Sequence, residues 1–165
     1  MALLCPAKKL MTLLLFAPDT IARITILAVF LPVVAGQSGN TGSQALAVTI
    51  RGLALREIRV GQWFRVAKKE AAVGLINGIA VSLTTAIIVY FWASSIGLAI
   101  VICVSMVFSM IIAGFSGAVI PIFLKSIGQD PAQSSSIVLT TVTDIVGFMS
   151  FLGLATVLGS ILGIV

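Results

Sequence analysis

The feature that most constrains this chain is the length of its uncharged runs. No charged side chain occurs between Leu98 and Leu124, and between Pro131 and Val165 there is only Asp144. A helix rises about 1.5 Å per residue, so about 20 apolar residues cross the roughly 30 Å of a bilayer's hydrocarbon. A soluble domain has no use for such runs, because a surface facing water needs about a quarter of the residues charged. Here 9% of 165 residues are charged and 59% are apolar, with a mean hydropathy of +1.22. The expected fold is all-α and membrane-integral. A transmembrane β-barrel is excluded, since it is built from short alternating segments rather than continuous apolar runs.

Four spans are expected. The first starts near Thr20, a residue able to cap a helix, and runs through Ile21–Ala35 with Pro32 inside it. It does not end cleanly. Residues Gly36–Gln44 are small and polar, and Ala45–Ile50 is apolar again. Such a stretch is either a surface loop or a kinked helix at membrane depth, and the latter is tolerated only against protein or a water-filled path. The second span is Ala71–Trp92, closed by the interfacial aromatics Tyr90, Phe91 and Trp92. The third is Leu98–Leu124, where Gly114, Gly117 and Ala118 allow close helix packing. The fourth opens at Asp130-Pro131, with Asp as N-cap and Pro at the first helical position, and runs to about Leu162. Upstream, Lys8 and Lys9 precede an apolar run, Leu10–Ala17, too short to span and followed by no A-x-A cleavage site. Residues 1–19 are set apart as the remnant of an earlier span, leaving 20–165 as the membrane domain.

The charges that remain set orientation and exclude several chemistries. Arg51, Arg56, Arg59, Arg65, Lys68 and Lys69 lie with Glu57 and Glu70 in one short segment. A short basic loop between spans stays on the cytoplasmic side, so its partner is the bilayer and not a nucleic acid. The uncharged Ser94–Gly97 turn then lies outside, at the cost of placing Lys8, Lys9 and Arg23 outside as well. The chain holds no histidine, and Cys5 and Cys103 have no metal-ligand spacing. Histidine-based nucleophilic catalysis is thereby removed. A two-aspartate membrane protease needs both carboxylates at depth, whereas Asp130 sits at a helix start. No enzyme is expected.

Asp144 is the residue that stands apart. An aspartate at the centre of a membrane helix costs about 2.5 kcal/mol or more on insertion scales, so it marks an ion path unless neighbouring hydroxyls satisfy it. Thr140, Thr141 and Thr143 are the hydroxyls within reach. At about 100° per residue, Thr140 and Gln133 project within about 40° of Asp144, and Asp130 falls about 40° off the same line and roughly 21 Å away along the axis. The last span therefore carries a polar stripe with one carboxylate at its mouth and one at mid-depth. Carboxylate oxygens are hard ligands, and Mg²⁺ binds through one or two of them while keeping its waters. Two Asp144 side chains meeting across a dimer axis suit a hydrated Mg²⁺, while Mn²⁺, Co²⁺ and Ni²⁺ stay open on chemistry alone.

Four separated motifs then resemble one family. Leu31-Pro-Val-Val-Ala-Gly-Gln-Ser-Gly-Asn-Thr-Gly-Ser-Gln44, Arg51-Gly-Leu-Ala-Leu55, Glu70-Ala-Ala-Val-Gly-Leu-Ile-Asn-Gly78, and Asp130-Pro with Thr140-Thr-Val-Thr-Asp-Ile-Val-Gly-Phe148 look like the membrane domain of MgtE magnesium channels, over about residues 20–163. The resemblance implies a homodimer in the cell membrane whose multi-pass pore domain is lined by the spans holding Pro32–Gln44 and Thr140–Phe148. It maps the selectivity aspartate onto Asp144 and a cytoplasmic-side metal-binding aspartate onto Asp130. Asn40, with Gly36 and Gly39, matches the glycine-rich pore-lining segment, and Thr140 and Thr141 belong to the other lining segment. Two departures accompany it. The family's membrane domain has five spans per chain, and its cytoplasmic acidic and CBS regulatory domains have no counterpart in these residues. The expectation is a stand-alone pore, a fragment or one part of a two-gene assembly with a separate regulatory subunit. A non-conducting assembly subunit and a cation-coupled exchanger are the alternative functions.

Overall fold

A computed structural model describes residues 18–162, so the expectation for Met1–Ala17 lies outside the described residues. Four long helices follow one another: α1 (Pro18–Ala54), α2 (Trp63–Ala93), α3 (Ile96–Ser126) and α4 (Pro131–Leu162). A single 3₁₀ turn, Val60–Gln62, joins α1 to α2. No strand occurs among the described residues.

The helix boundaries follow local chemistry. Ser95 caps α3 by accepting a hydrogen bond from the Leu98 amide at 3.3 Å. Asp130 does the same for α4, its Oδ1 accepting from the Ala132 amide at 2.9 Å, as the Asp-Pro pair predicts. After α3 the chain turns through Gly128 at φ 78°, a backbone conformation that a side chain disfavours. The amides of Gly128 and Gln129 return there to the carbonyls of Lys125 and Leu124.

Two expectations change and one open alternative is decided. Thr20 does not cap α1, because the helix already includes Pro18. Helix α1 passes unbroken through Pro32 and the polar residues 36–44 to Ala54, so that stretch is helix, not loop. Helix α2 begins at Trp63 rather than Ala71, drawing Arg65, Lys68, Lys69 and Glu70 out of the expected loop. Lysine and arginine have long apolar stems and extend a helix without placing their charge at depth.

Three segments among the described residues are long and apolar enough to cross a membrane: Val60–Ala93, Ile96–Ser126 and Ser135–Leu158. Helix α1 is the longest at 37 residues and is not among those three. The expected count of four apolar spans is therefore met for three.

Packing is up-down-up-down and is set by glycines. A Cβ on Gly74 would strike the carbonyl of Met110, and one on Gly78 would sit 3.2 Å from Val107 Cα, so α2 and α3 run antiparallel with their backbones in contact. On the same seam a Cβ at Gly114 would strike the Glu70 carbonyl. Helix α4 lies antiparallel to α1: a Cβ on Gly147 would be 3.1 Å from Ala35 Cα, and one on Gly42 3.3 Å from Thr143 Cγ2. Small residues let membrane helices approach where no hydrophobic force drives them together. The larger apolar side chains gather toward the Ser94 end, where Leu27, Phe30, Val34, Val89, Leu98, Ile102, Met106 and Phe151 form one buried cluster. There Trp92 sits edge-on to Phe30 with centroids 5.6 Å apart, tying α2 to α1.

The seam generates a prediction. Gly74→Ala forces α2 off α3 at a cost of about 1–3 kcal/mol, typical of overpacking. At Gly36 a Cβ meets nothing within 4 Å, and Gly36→Ala should hold or slightly raise stability, since alanine is the better helix former. Thermal unfolding of the purified variants in detergent should separate them in that order. Equal melting temperatures would contradict the packing described.

Candidate metal path along the first and last helices

Helix α1 presents three different faces. Val34, Ser38, Ala45 and Thr49 are buried against the bundle. Gly39 turns toward α4, where a Cβ would lie 3.9 Å from Thr143 Oγ1. Gly36, Asn40, Ser43 and Ala47, spaced three or four apart, form an exposed strip. Three residues of that strip, Asn40, Ser43 and Ala47, form part of the wall of an open groove of about 660 Å³ between α1 and α2, with Met110 of α3 also lining it. Its polar lining comes from Gln37, Asn40, Thr41, Ser43 and Gln44 on α1 and Asn77 on α2.

The hydroxyls along these helices are internally satisfied. Ser38 donates to the Ala35 carbonyl at 2.9 Å, Thr41 to Gln37 at 3.1 Å and Thr49 to Ala45 at 2.8 Å. Bonding back to the same helix lets a hydroxyl sit at membrane depth without an unmet donor. The amides of Asn40, Gln37, Gln44 and Asn77 cannot use that device and line the groove instead. They offer carbonyl oxygens, neutral hard donors of the kind suited to Mg²⁺, Ca²⁺ or Mn²⁺.

Asp144 lies on α4 one residue beyond the buried Thr143 and is half-buried. The hydroxyls that might have satisfied it are engaged elsewhere. Thr140 donates to Ser136 at 2.8 Å, Thr141 to Ile137 at 3.0 Å and Thr143 to the Thr140 carbonyl at 3.0 Å. Among the described residues, no hydrogen bond or ion pair engages the Asp144 carboxylate. A charge at this depth with no internal partner is suited to a mobile one.

The expected site residues are thus only partly brought together. Gly36, Asn40, Thr140 and Thr141 are exposed, while Gly39 is half-buried in the α1–α4 contact. Asp144 is not among the residues that line the groove. Asp130 is exposed at the start of α4, beside Lys125 in a shallow recess of about 270 Å³. It stands well apart from Asp144 along the helix and already serves as a cap. The side chain of Gln133 is outside the described residues. Reading residue by residue missed Gln37, Gln44 and Asn77 as lining groups. The spacing Gln37, Asn40/Thr41, Gln44 marks one helical face, a signal that holds only where the stretch is helical. It also placed Glu70 in a loop, whereas α2 buries it to 6% exposure.

Comparison with known proteins bears on this geometry. The family model described as "MgtE: Divalent cation transporter" matches residues 31–154. Proteins named "Magnesium transporter MgtE" are similar over most of the chain: that of Thermus thermophilus is 37% identical over 140 residues, covering 85% of this chain and 31% of the relative. That of Bacillus subtilis is 36% identical over 138 residues, covering 84% and 31%, and that of Enterococcus faecalis 32% over 136 residues, covering 82% and 30%. The chain spans about a third of the length of the curated relatives it matches. The match contains α1 from Leu31 onward, the groove and Asp144.

The separation of faces is testable by labelling. In a background with both native cysteines replaced by serine, Asn40→Cys should react with a small water-soluble thiol reagent, and Thr143→Cys, 1% exposed in the parent, should react at least about tenfold more slowly, as expected for a thiol in apolar surroundings. Comparable rates would show that the strip and the α1–α4 contact are not distinct.

Proposed function

This chain belongs to the MgtE family of divalent cation transporters, and we propose that it conducts Mg²⁺ across the cell membrane as a homodimeric pore. In this reading α1 is a fourth crossing, its polar middle facing water rather than lipid. The observation that carries it is the half-buried, unpartnered carboxylate of Asp144 on the helix that packs against α1.

One deep carboxylate per chain is too little charge to hold a divalent ion. A two-fold axis along the strip Gly36, Asn40, Ser43 and Ala47 would bring two copies of Asp144 to one path, since a symmetric interface pairs each patch with itself. Small residues on that strip allow close approach. Mg²⁺ would pass largely hydrated, with Asp144 supplying charge and the amides of Asn40 and its neighbours hydrogen-bonding to its waters. Asp130, in the higher dielectric of the mouth, would raise the local cation concentration without selecting. The basic segment Arg51–Lys69 would lie in the cytoplasm.

Two experiments test this reading. Asp144→Asn keeps shape and hydrogen bonding but removes the charge, so in reconstituted liposomes it should lower Mg²⁺ flux by on the order of tenfold or more. Asp130→Asn retains the helix cap, asparagine being as good a cap as aspartate, and should lower flux by roughly twofold and only at low ionic strength. Normal flux through a folded Asp144→Asn variant would make the carboxylate structural and overturn the mechanism. Separately, cysteines placed at Gln62 and Ser95 should be labelled by an impermeant reagent from opposite sides of the membrane. Labelling of both from one side would contradict the topology.

A further inference from the structure

The polar side chains within the helices divide into two kinds. Along α2, Ser82, Thr84 and Thr85 each donate to a carbonyl of their own helix. Asn77 does not, and among the described residues no hydrogen bond engages its side chain. The same holds for the side-chain amides of Gln37, Asn40 and Gln44 on α1. All four amides line one groove, three of them on the α1 wall and Asn77 alone on the α2 wall.

The walls of that groove are fixed by backbone contacts. Gly74 and Gly78, on either side of Asn77 in sequence, press α2 onto α3, and α1 is seated on α3 where Gly117 meets the Gly42 carbonyl. An acyl chain in this space would strip water from four amides and return no hydrogen bond. An anion would find no cationic side chain in the lining, and a bare cation no carboxylate. A cation that keeps its waters fits. Metal-bound waters donate, amide oxygens accept, and acceptors on two facing walls meet opposite sides of one octahedral shell. Six waters at about 30 Å³ each fill about 180 Å³, well within the groove's 660 Å³. Asn40 and Ser43 belong both to the groove and to the exposed strip of α1, so the groove is continuous with the face assigned to the ion path.

We propose that the groove is an outer-sphere site for a divalent cation carrying its full shell of six waters, and that Asn77 completes it from the α2 side. The site rests on the reading of this chain as a Mg²⁺ pore and adds to it an uncharged station whose lining does not include Asp144. It favours Mg²⁺, which dehydrates reluctantly, over Ca²⁺, which takes more protein oxygens in flexible geometry.

Cobalt(III) hexaammine is the probe, because its six inert ligands donate hydrogen bonds and are not displaced, so it binds through its outer sphere alone. The full chain, with both native cysteines replaced by serine, carries Ala47→Cys at an exposed position that lines the groove. Labelling by a neutral thiol reagent is timed at constant ionic strength set with KCl. Cobalt hexaammine and Mg²⁺ should each slow it in a saturable way, and Ca²⁺ should protect less. Asn77→Leu should raise the half-protecting concentration by roughly two- to tenfold, the worth of one hydrogen bond, and Asn77→Gln should restore part of the loss. Protection by neither ion, by Mg²⁺ but not cobalt hexaammine, equally by Ca²⁺, or undiminished in Asn77→Leu overturns the proposal. Should Asn77→Leu fail to fold, Gln37→Leu makes the same comparison from the α1 wall. Protection should persist in Asp144→Asn. Mg²⁺ flux without protection would contradict the groove site alone, and protection without flux in the parent would contradict the pore reading alone.

Discussion

The close approach of backbones at a few glycines determines what every other part of this bundle can do. Gly42 and Gly147 press α1 against α4, Gly117 lies against the Gly42 carbonyl, and Gly74 and Gly114 seat α2 on α3. In hydrocarbon the hydrophobic effect does not drive helices together, so association rests on dispersion and on small residues that permit it. Because α1 is held through the Gly39 and Gly42 side, its Asn40 side has to face outward. The polar residues of α1 are thus displayed by the same contacts that bury its Val34 and Ser38.

Backbone polarity supplies the second constraint. At membrane depth each amide and carbonyl must be met within the protein, which explains why residues 36–44 remain helical despite three glycines, two glutamines and an asparagine. Hydroxyls cooperate by bonding to their own helix, as Ser38, Thr41 and Thr143 do. What is left over is chemically specific: amide side chains in the groove and one carboxylate at Asp144. These leftovers cost folding free energy in a bilayer, and the proposed passage of a divalent cation would give them a purpose.

Much of the architecture was legible in the sequence, because it depends on local rules. Asp130-Pro131 announces a helix start and the structure uses both residues as expected; the apolar run Leu98–Leu124 falls within two residues of α3 at each end. Asp144 was legible as the lone charge in its helix. The misplaced start of α2 shows where the local rules stop. A cluster of charges reads as loop, yet Lys68 and Lys69 extend outward from a helix whose Glu70 is buried. Which face of α1 meets which neighbour was not legible, since it depends on contacts such as Gly42 with Thr143 that lie about a hundred residues apart. For that reason Gly39 was grouped with Asn40 although the structure turns it toward α4, and the contribution of Asn77 to the groove was not anticipated.

The central proposal is that a homodimer of this chain forms a path for Mg²⁺. The measurement that tests it most directly is uptake by liposomes containing the purified chain and a trapped Mg²⁺-sensitive dye, with no proton or sodium gradient imposed. The account predicts a rise in internal Mg²⁺ driven by its own gradient and absent from protein-free vesicles. Entry only when a second ion gradient is applied, or no entry by protein shown to be folded and inserted, would contradict it.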